Sequence, residues 1–383
     1  MNRQAGRRSF FSQCVCCEPV SSFAGLPVTG LPVAGPPVSR RNFLSGGTAA
    51  TALGFAGASI APPASAQAPA AAQAPAKPRR IDVHHHIVPP VHAEALTRHK
   101  STSPTKWTVA MSLDDMDKAG IDTAVVSILN PGVWFGQKDE EARRLARACN
   151  EYAANLERDH KGRFRSFAVI PLPDTEGSLR EIEYALDVLK AEGIALWTSY
   201  SGMYLGDPAF LPVFEELNRR KAVVYTHPGV PDCCAGLVKG LPVSTLEYSH
   251  DTTRTIASIV FGEGQTAFRC PDVQFIWSHS GGTLPFLTSR FVELVKRQKD
   301  KFPDGPLPIF RKFYYEVAQG NTLGQLAALM QMVPISQVML GSDYPFREGT
   351  EAVEGVHNYK FSPDEIKAIE SENAIRVMPR LRV

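Results

Sequence analysis

The sequence predicts a single α/β domain folded as a (β/α)8 TIM barrel, and three observations carry that expectation. Short β-branched runs alternate with helical patterns from Arg79 onward, and eight such runs can be counted. Most of them are apolar on both faces, as in the strands of a parallel sheet covered by helices. No Gly-rich phosphate loop follows the first run, where a doubly wound open sheet would usually carry one; histidines and then Pro89-Pro90 follow instead.

The predicted strands, in order, are Arg80–His84, Thr123–Leu129, Phe164–Pro171, Ile194–Ser199, Ala222–Thr226, Val273–Ser278, Phe313–Val317 and Gln337–Gly341. Helical periodicity covers Asp139–Asp159, Glu176–Glu192, Pro208–Arg219, Thr252–Gly262, Leu284–Lys299 and Leu323–Met332. A last helix is expected over Pro363–Arg376, with Ser362 as N-cap, Pro363 in the first turn and Glu365 at the capping-box position. The stretch Pro228–His250, rich in Gly and Pro, is long for a βα loop and reads as a lid or a partner contact.

Residues 1–66 read as an address rather than as structure. Ser39-Arg40-Arg41-Asn42-Phe43-Leu44 has the form of a twin-arginine export motif. A weakly apolar Ala/Gly run follows and ends in Ala64-Ser65-Ala66, a small-x-small cleavage signal. Met1–Val38 is longer than such a leader needs, which points to a later translation start. Residues 67–78 are almost all Ala, Pro and Gln and read as a tether; residues 79–383 form the barrel domain. The expected location is therefore the periplasm, with the twin-arginine export machinery as a partner. Of the seven cysteines, Cys149, Cys233, Cys234 and Cys270 lie beyond the leader. In an oxidising compartment a Cys233–Cys270 bridge is an option, whereas neighbouring Cys233 and Cys234 are awkward partners.

Composition removes other classes. With 44% hydrophobic residues in 383, the chain can bury a large core and is no disordered or fibrous protein. A formal net charge of +2 gives no electrostatic case for nucleic acid.

The polar residues fall at strand ends. Strand one closes on Asp82-Val83-His84-His85-His86, strand five on Thr226-His227-Pro228, strand six on Ser278-His279-Ser280-Gly281-Gly282 and strand eight on Gly341-Ser342-Asp343-Tyr344-Pro345-Phe346. In a barrel these ends converge on one face. Side chains alternate along a strand, so His84 and His86 share a side and His85 points away. Two imidazoles so spaced suit zinc or another first-row divalent ion. Trp134 and Phe135, after strand two, are read either as a pocket wall or as ordinary packing. His92, His99, His160, His250 and His357 show no partner pattern and read as surface, and Arg254 reads as a solvated helix residue.

This order of motifs resembles the amidohydrolase superfamily. In detail it is similar to the amidohydrolase-related branch of aminocarboxymuconate-semialdehyde decarboxylase and the γ-resorcylate-type decarboxylases. The similar stretches are Ile81–Pro90, Thr226–Pro228, Asp251–Gly262, Ser278–Leu287, Phe313–Gln319 and Gly341–Phe346. The resemblance implies that His84, His86, His227 and Asp343 hold one divalent metal, most often zinc in this branch. It makes His279 the acid/base group, with Asp343 able to take up a proton from a metal-activated water. It makes Arg290 a substrate-carboxylate ligand for the neighbouring protomer, and hence implies a homodimer. Strand four reads Ile194-Ala195-Leu196-Trp197-Thr198 with no lysine to bridge two metals, which supports a single ion.

The expected function is that of a metal-dependent decarboxylase acting on a small carboxylated compound, with an aromatic ring as one option. The same residues would serve a metal-dependent hydrolase of a lactone, ester or amide. A metal-dependent binding protein without turnover is the remaining alternative, which the intact His279 disfavours, since simple binding needs no proton shuttle.

Overall fold

Eight parallel strands, paired strictly in chain order, make up the sheet of the computed structural model, which describes residues 79–136 and 139–382. They are β1 (Ile81–Ile87), β2 (Thr123–Ile128), β3 (Phe164–Val169), β4 (Gly193–Trp197), β5 (Val223–His227), β6 (Gln274–Trp277), β7 (Tyr314–Glu316) and β8 (Val338–Met339). The seam between β8 and β1 is closed just beyond β8. Val83 N donates to Leu340 O (3.0 Å), Asp343 N to His84 O (2.8 Å) and His86 N to Tyr344 O (2.7 Å). The expected barrel is therefore present, and the segment that closes it carries Asp343. The export motif, its cleavage signal and the Ala/Pro/Gln tether lie outside the described residues.

Apart from two four-residue helices, Thr266–Arg269 and Leu307–Phe310, the α-helices among the described residues are α1 (Pro90–Arg98), α2 (Val109–Ala119), α3 (Asp139–Asp159), α4 (Thr175–Glu183), α5 (Leu211–Arg219), α6 (Val243–Phe261), α7 (Leu284–Val295), α8 (Leu323–Met332), α9 (Gly349–Asn358), α10 (Pro363–Lys367) and α11 (Asn373–Val377). The expected α3 and α8 coincide with their sequence patterns. The expected capping box forms at α10, where Ser362 Oγ accepts from Glu365 N and Glu365 Oε2 accepts from Ser362 N. The sequence reading assigned no helix to α1, which opens on Pro90. This proline occupies the first helical turn, where a missing N–H costs nothing. The reading also began α6 too late and made the preceding loop too long. Helix α6 starts at Val243 because tertiary partners hold the polar residues of its first half: Asp251 accepts from Thr198 Oγ1 and from Tyr204 OH.

Two apolar layers result. The outer one lies between the strands and the surrounding helices. The inner one fills the barrel with Ile81, Val83, Val125, Phe167, Val223, Tyr225, Ile276 and Met339, against which Val377, Met378 and Leu381 of the C-terminal segment pack. Each such buried side chain contributes about 1.5–3 kcal/mol of transfer free energy.

The inner layer exposes an irregularity in β1. Asp82 pairs with Ala124 but His85 with Val126, so β1 carries one residue more than β2 across this interval. The bulge reverses the alternation. Ile81 and Val83 face the barrel interior, and His84 and His86 face it as well, one level higher. Buried Asp82 holds the bulge: its Oδ1 accepts from His84 N and Ser342 N, and its Oδ2 from Ser342 Oγ.

Cysteine pairing differs from expectation. Cys233 and Cys234 are bonded to each other, and Cys270 is a buried free thiol, pushed up to about 11 by burial.

Candidate metal centre

The ends of β1, β5, β6 and β8 bring His84, His86, His227, His279 and Asp343 together. Asp343 Oδ1 lies 3.0 Å from His84 Nε2, 3.2 Å from His86 Nε2 and 3.8 Å from His227 Nε2. The Nε2 atoms of His84 and His86 are themselves 3.0 Å apart. His279 approaches the other carboxylate oxygen, its Nε2 3.4 Å from Asp343 Oδ2. Ligand atoms of His84, His227, His279 and Asp343 lie within 4.8 Å of one another, so position alone leaves His279 within coordinating range as well. His84 and His86 are fully buried, and His227 and Asp343 almost so.

The outer ring nitrogens decide what the inner ones can do. His227 Nδ1 donates to Pro228 O (2.8 Å), an acceptor only. His84 Nδ1 meets Glu316 Oε1 at 2.8 Å, and His86 Nδ1 meets Ser127 Oγ at 3.2 Å. With its proton on Nδ1, the neutral His227 ring turns its Nε2 lone pair toward Asp343 Oδ1, the oxygen that the Nε2 atoms of His84 and His86 also face. Among the described residues, His227 Nε2 and Asp343 Oδ1 are buried without a hydrogen-bond partner. Buried acceptors facing each other are costly unless a cation lies between them. Three imidazoles and a carboxylate oxygen are a donor set that fits a divalent ion of the zinc type.

The electrostatics show the same need for positive charge. Burial lowers His227 to about 3 and also lowers His86. Burial opposes protonation of His84 too, but Glu316 and Asp343 outweigh it and raise this imidazole to about 10. Burial would raise Asp343, yet the surrounding imidazoles, His84 first, hold it well below the usual carboxylate range.

Local backbone conformation is unusual at these positions. His279 (φ 53°), Ser280 (φ 56°), Gln319 (φ 50°) and Asp343 (φ 67°) all occupy the left-handed region that non-glycine residues avoid. Such residues persist only where their surroundings over-determine them. Here His279 N donates to Glu316 Oε1 (2.7 Å), and Gln319 Nε2 donates to Asp343 Oδ2.

Aromatic rings stand around the imidazoles. Trp197 and Tyr248 lie 5.6 and 6.3 Å from the His227 ring, and Phe346 lies 5.9 Å from that of His86. Phe135, by contrast, stacks on His99 at 4.4 Å.

His85 points away, as expected, with Nδ1 on Asp82 Oδ2 and Nε2 on Ser112 Oγ. Arg290 is exposed on α7, outside the cluster of converging side chains. His92 is no surface residue: it is fully buried, its Nε2 donates to Gly132 O (2.9 Å), and burial lowers it to about 4. His357 pairs with Glu370 at 2.8 Å. Arg254 is half-buried, with Nη1 3.8 Å from Glu247 and 3.9 Å from Asp251. Sequence reasoning missed Glu316 and Gln319. The signal for Glu316 was present, since an acidic residue inside an apolar strand run is rarely buried without a partner.

Comparison with known proteins places the chain in a family. The amidohydrolase family model matches residues 81–380. Decarboxylase yanB of Aspergillus niger is 36% identical over 79% of this chain and 88% of its own. The 6-methylsalicylic acid decarboxylase of Penicillium expansum is 32% identical over 79% of this chain and 97% of its own. Among solved structures, 5-carboxyvanillate decarboxylase of Novosphingobium aromaticivorans, with bound manganese, superposes with a TM-score of 0.72 at 19% identity, over 79% of this chain and 97% of that one. The chain belongs to the amidohydrolase family, in its aminocarboxymuconate-semialdehyde and γ-resorcylate decarboxylase-like branch.

Proposed function

We propose that this enzyme is a metal-dependent carboxy-lyase that removes carbon dioxide from a small hydroxylated aromatic acid of the salicylate type. The observation that carries the reading is the convergence of three imidazole nitrogens and one carboxylate oxygen, two of these atoms without a hydrogen-bond partner among the described residues, beside a further histidine. The named activities of the relatives set the substrate class.

In this reading His84, His86, His227 and Asp343 Oδ1 hold one divalent ion, for which zinc suits the donor set. When bound, the ion supplies positive charge for the substrate's carboxylate and the neighbouring ring oxygen. His279 supplies the proton. It passes to the ring carbon that bears the carboxylate; the ring–carboxylate bond then breaks, its electron pair returns to the ring, and carbon dioxide leaves. Asp343 Oδ2 faces His279 Nε2 and orients it, and Gln319 keeps that oxygen in place. Trp197, Tyr248 and Phe346 offer flat apolar surface to an aromatic ring and keep water from it. Arg290, exposed on α7, is read as serving the carboxylate of a neighbouring protomer's substrate in a homodimer.

Residues 39–44 and 64–66 support export by the twin-arginine route and residence in the periplasm. The function is tested by elemental analysis of the purified protein, followed by a panel of hydroxybenzoates and lactones. Carbon dioxide released from a hydroxybenzoate is the expected result. A product heavier by one water makes the enzyme a hydrolase, and bound metal without turnover on either class makes it a binding protein.

A further inference from the structure

Glu316 ends β7 inside the barrel and is fully buried. Among the described residues no lysine or arginine pairs with it; its only ion-pair partner is His84. Three groups meet its two oxygens. Oε1 accepts from His84 Nδ1 (2.8 Å) and from the backbone N of His279 (2.7 Å), and Oε2 accepts from the backbone N of Ala318 (2.6 Å). Gly341 leaves the space: a Cβ at this position would overlap Oε2.

Two of these partners, the backbone N–H groups of His279 and Ala318, are donors by nature, one at each oxygen. Only a group that accepts at both ends satisfies them, and an ionised carboxylate is the one side chain of this length that does. A glutamine would accept at one end and turn an N–H toward a donor at the other. We propose that Glu316 is the positioning residue that couples the metal centre to its acid/base group. By accepting from His84 Nδ1 it keeps the ring proton there and leaves Nε2 free for the ion. Through the same oxygen it anchors His279 in its left-handed backbone conformation, which sets where that imidazole stands. The buried negative charge also offsets the charge of the bound ion. The inference rests on the metal-centre reading above and assigns Glu316 a role within it.

The test is metal affinity, measured by competition with a chelator of known strength on parent protein and Glu316→Gln, using zinc and manganese separately. Far-UV circular dichroism and urea unfolding of the metal-free proteins establish that both are folded. Glu316→Gln is expected to bind about 10–100-fold more weakly, the effect typical of a group behind a metal-ligating histidine. At saturating metal, kcat should remain below that of the parent with KM little changed, because the anchor of His279 is also altered. Glu316→Asp keeps the charge but withdraws it by one methylene, and should also bind more weakly than the parent. A folded Glu316→Gln with the parent's affinity and the parent's kcat overturns the proposal. If Glu316→Gln does not fold, Glu316→Asp decides, and parental affinity in that variant overturns it equally. If neither folds while His84→Ala does, Glu316 serves folding and the proposal fails. A parent protein that binds neither ion refutes the metal-centre reading itself, a different result from any of these.

Discussion

Replacing His279 and His227 in turn by alanine separates proton transfer from metal binding. His227 Nε2 is buried, has no hydrogen-bond partner among the described residues and faces Asp343 Oδ1. In the proposed centre its removal would take one of four donors from the ion, and it also deletes the contact of the ring with Pro228 O. His279 faces Oδ2 instead, at 3.4 Å, and its loss leaves three imidazoles and Oδ1 in place. General acid/base groups contribute about 10²–10⁴ in rate, or about 3–5 kcal/mol of barrier. His279→Ala should therefore retain metal and lose kcat by that factor or more, while His227→Ala loses metal and activity together. The assay is metal content by elemental analysis after dialysis, with kcat at saturating metal for each variant. If His279→Ala is stripped of metal as completely as His227→Ala, His279 is a ligand and the division of roles is wrong. If His279→Ala turns over at the parental rate, the proton donor lies elsewhere.

Three further outcomes are expected. His92 stands at about 4 in the folded chain against an ordinary 6.5, so the unfolded chain takes up this proton first as pH falls; the stability it confers is complete above about pH 6.5 and is lost toward pH 4. Urea unfolding at pH 7 and pH 5 should show about 2 kcal/mol of loss from this group, and His92→Gln should lack that share; an unchanged difference would refute the account. Gly132 has φ +81°, and a Cβ there would overlap Nε1 of Trp197, so Gly132→Ala should lower stability by about 1–3 kcal/mol from overpacking and about 1 more from the backbone, seen as a lower Tm. Changing Arg40 and Arg41 together to Lys should leave precursor in the cytoplasm, whereas the parent should yield periplasmic protein beginning near Gln67, read by fractionation and N-terminal sequencing.

The alternation of apolar runs with helical periods, and the polar residues at the ends of four runs, were legible in the chain itself. They are local properties: a strand buried on both faces must be apolar throughout, and in a parallel barrel every strand ends on the same side. That is why all eight strands, and the five residues that converge at their ends, could be named from sequence. Their number along the chain could not show how they meet. The bulge in β1, which turns Val83 and His84 both inward, depends on Asp82 accepting hydrogen bonds from Ser342, far away in sequence. The buried state of His92 depends on a carbonyl contributed by Gly132 after β2. The early start of α6 depends on Thr198 and Tyr204. Glu316 looked like one acid in a strand until folding brought His84, His279 and Ala318 to its two oxygens. Periodicity is written residue by residue and survives in the sequence, whereas the satisfaction of buried polar groups is a long-range matter that only the closed barrel decides.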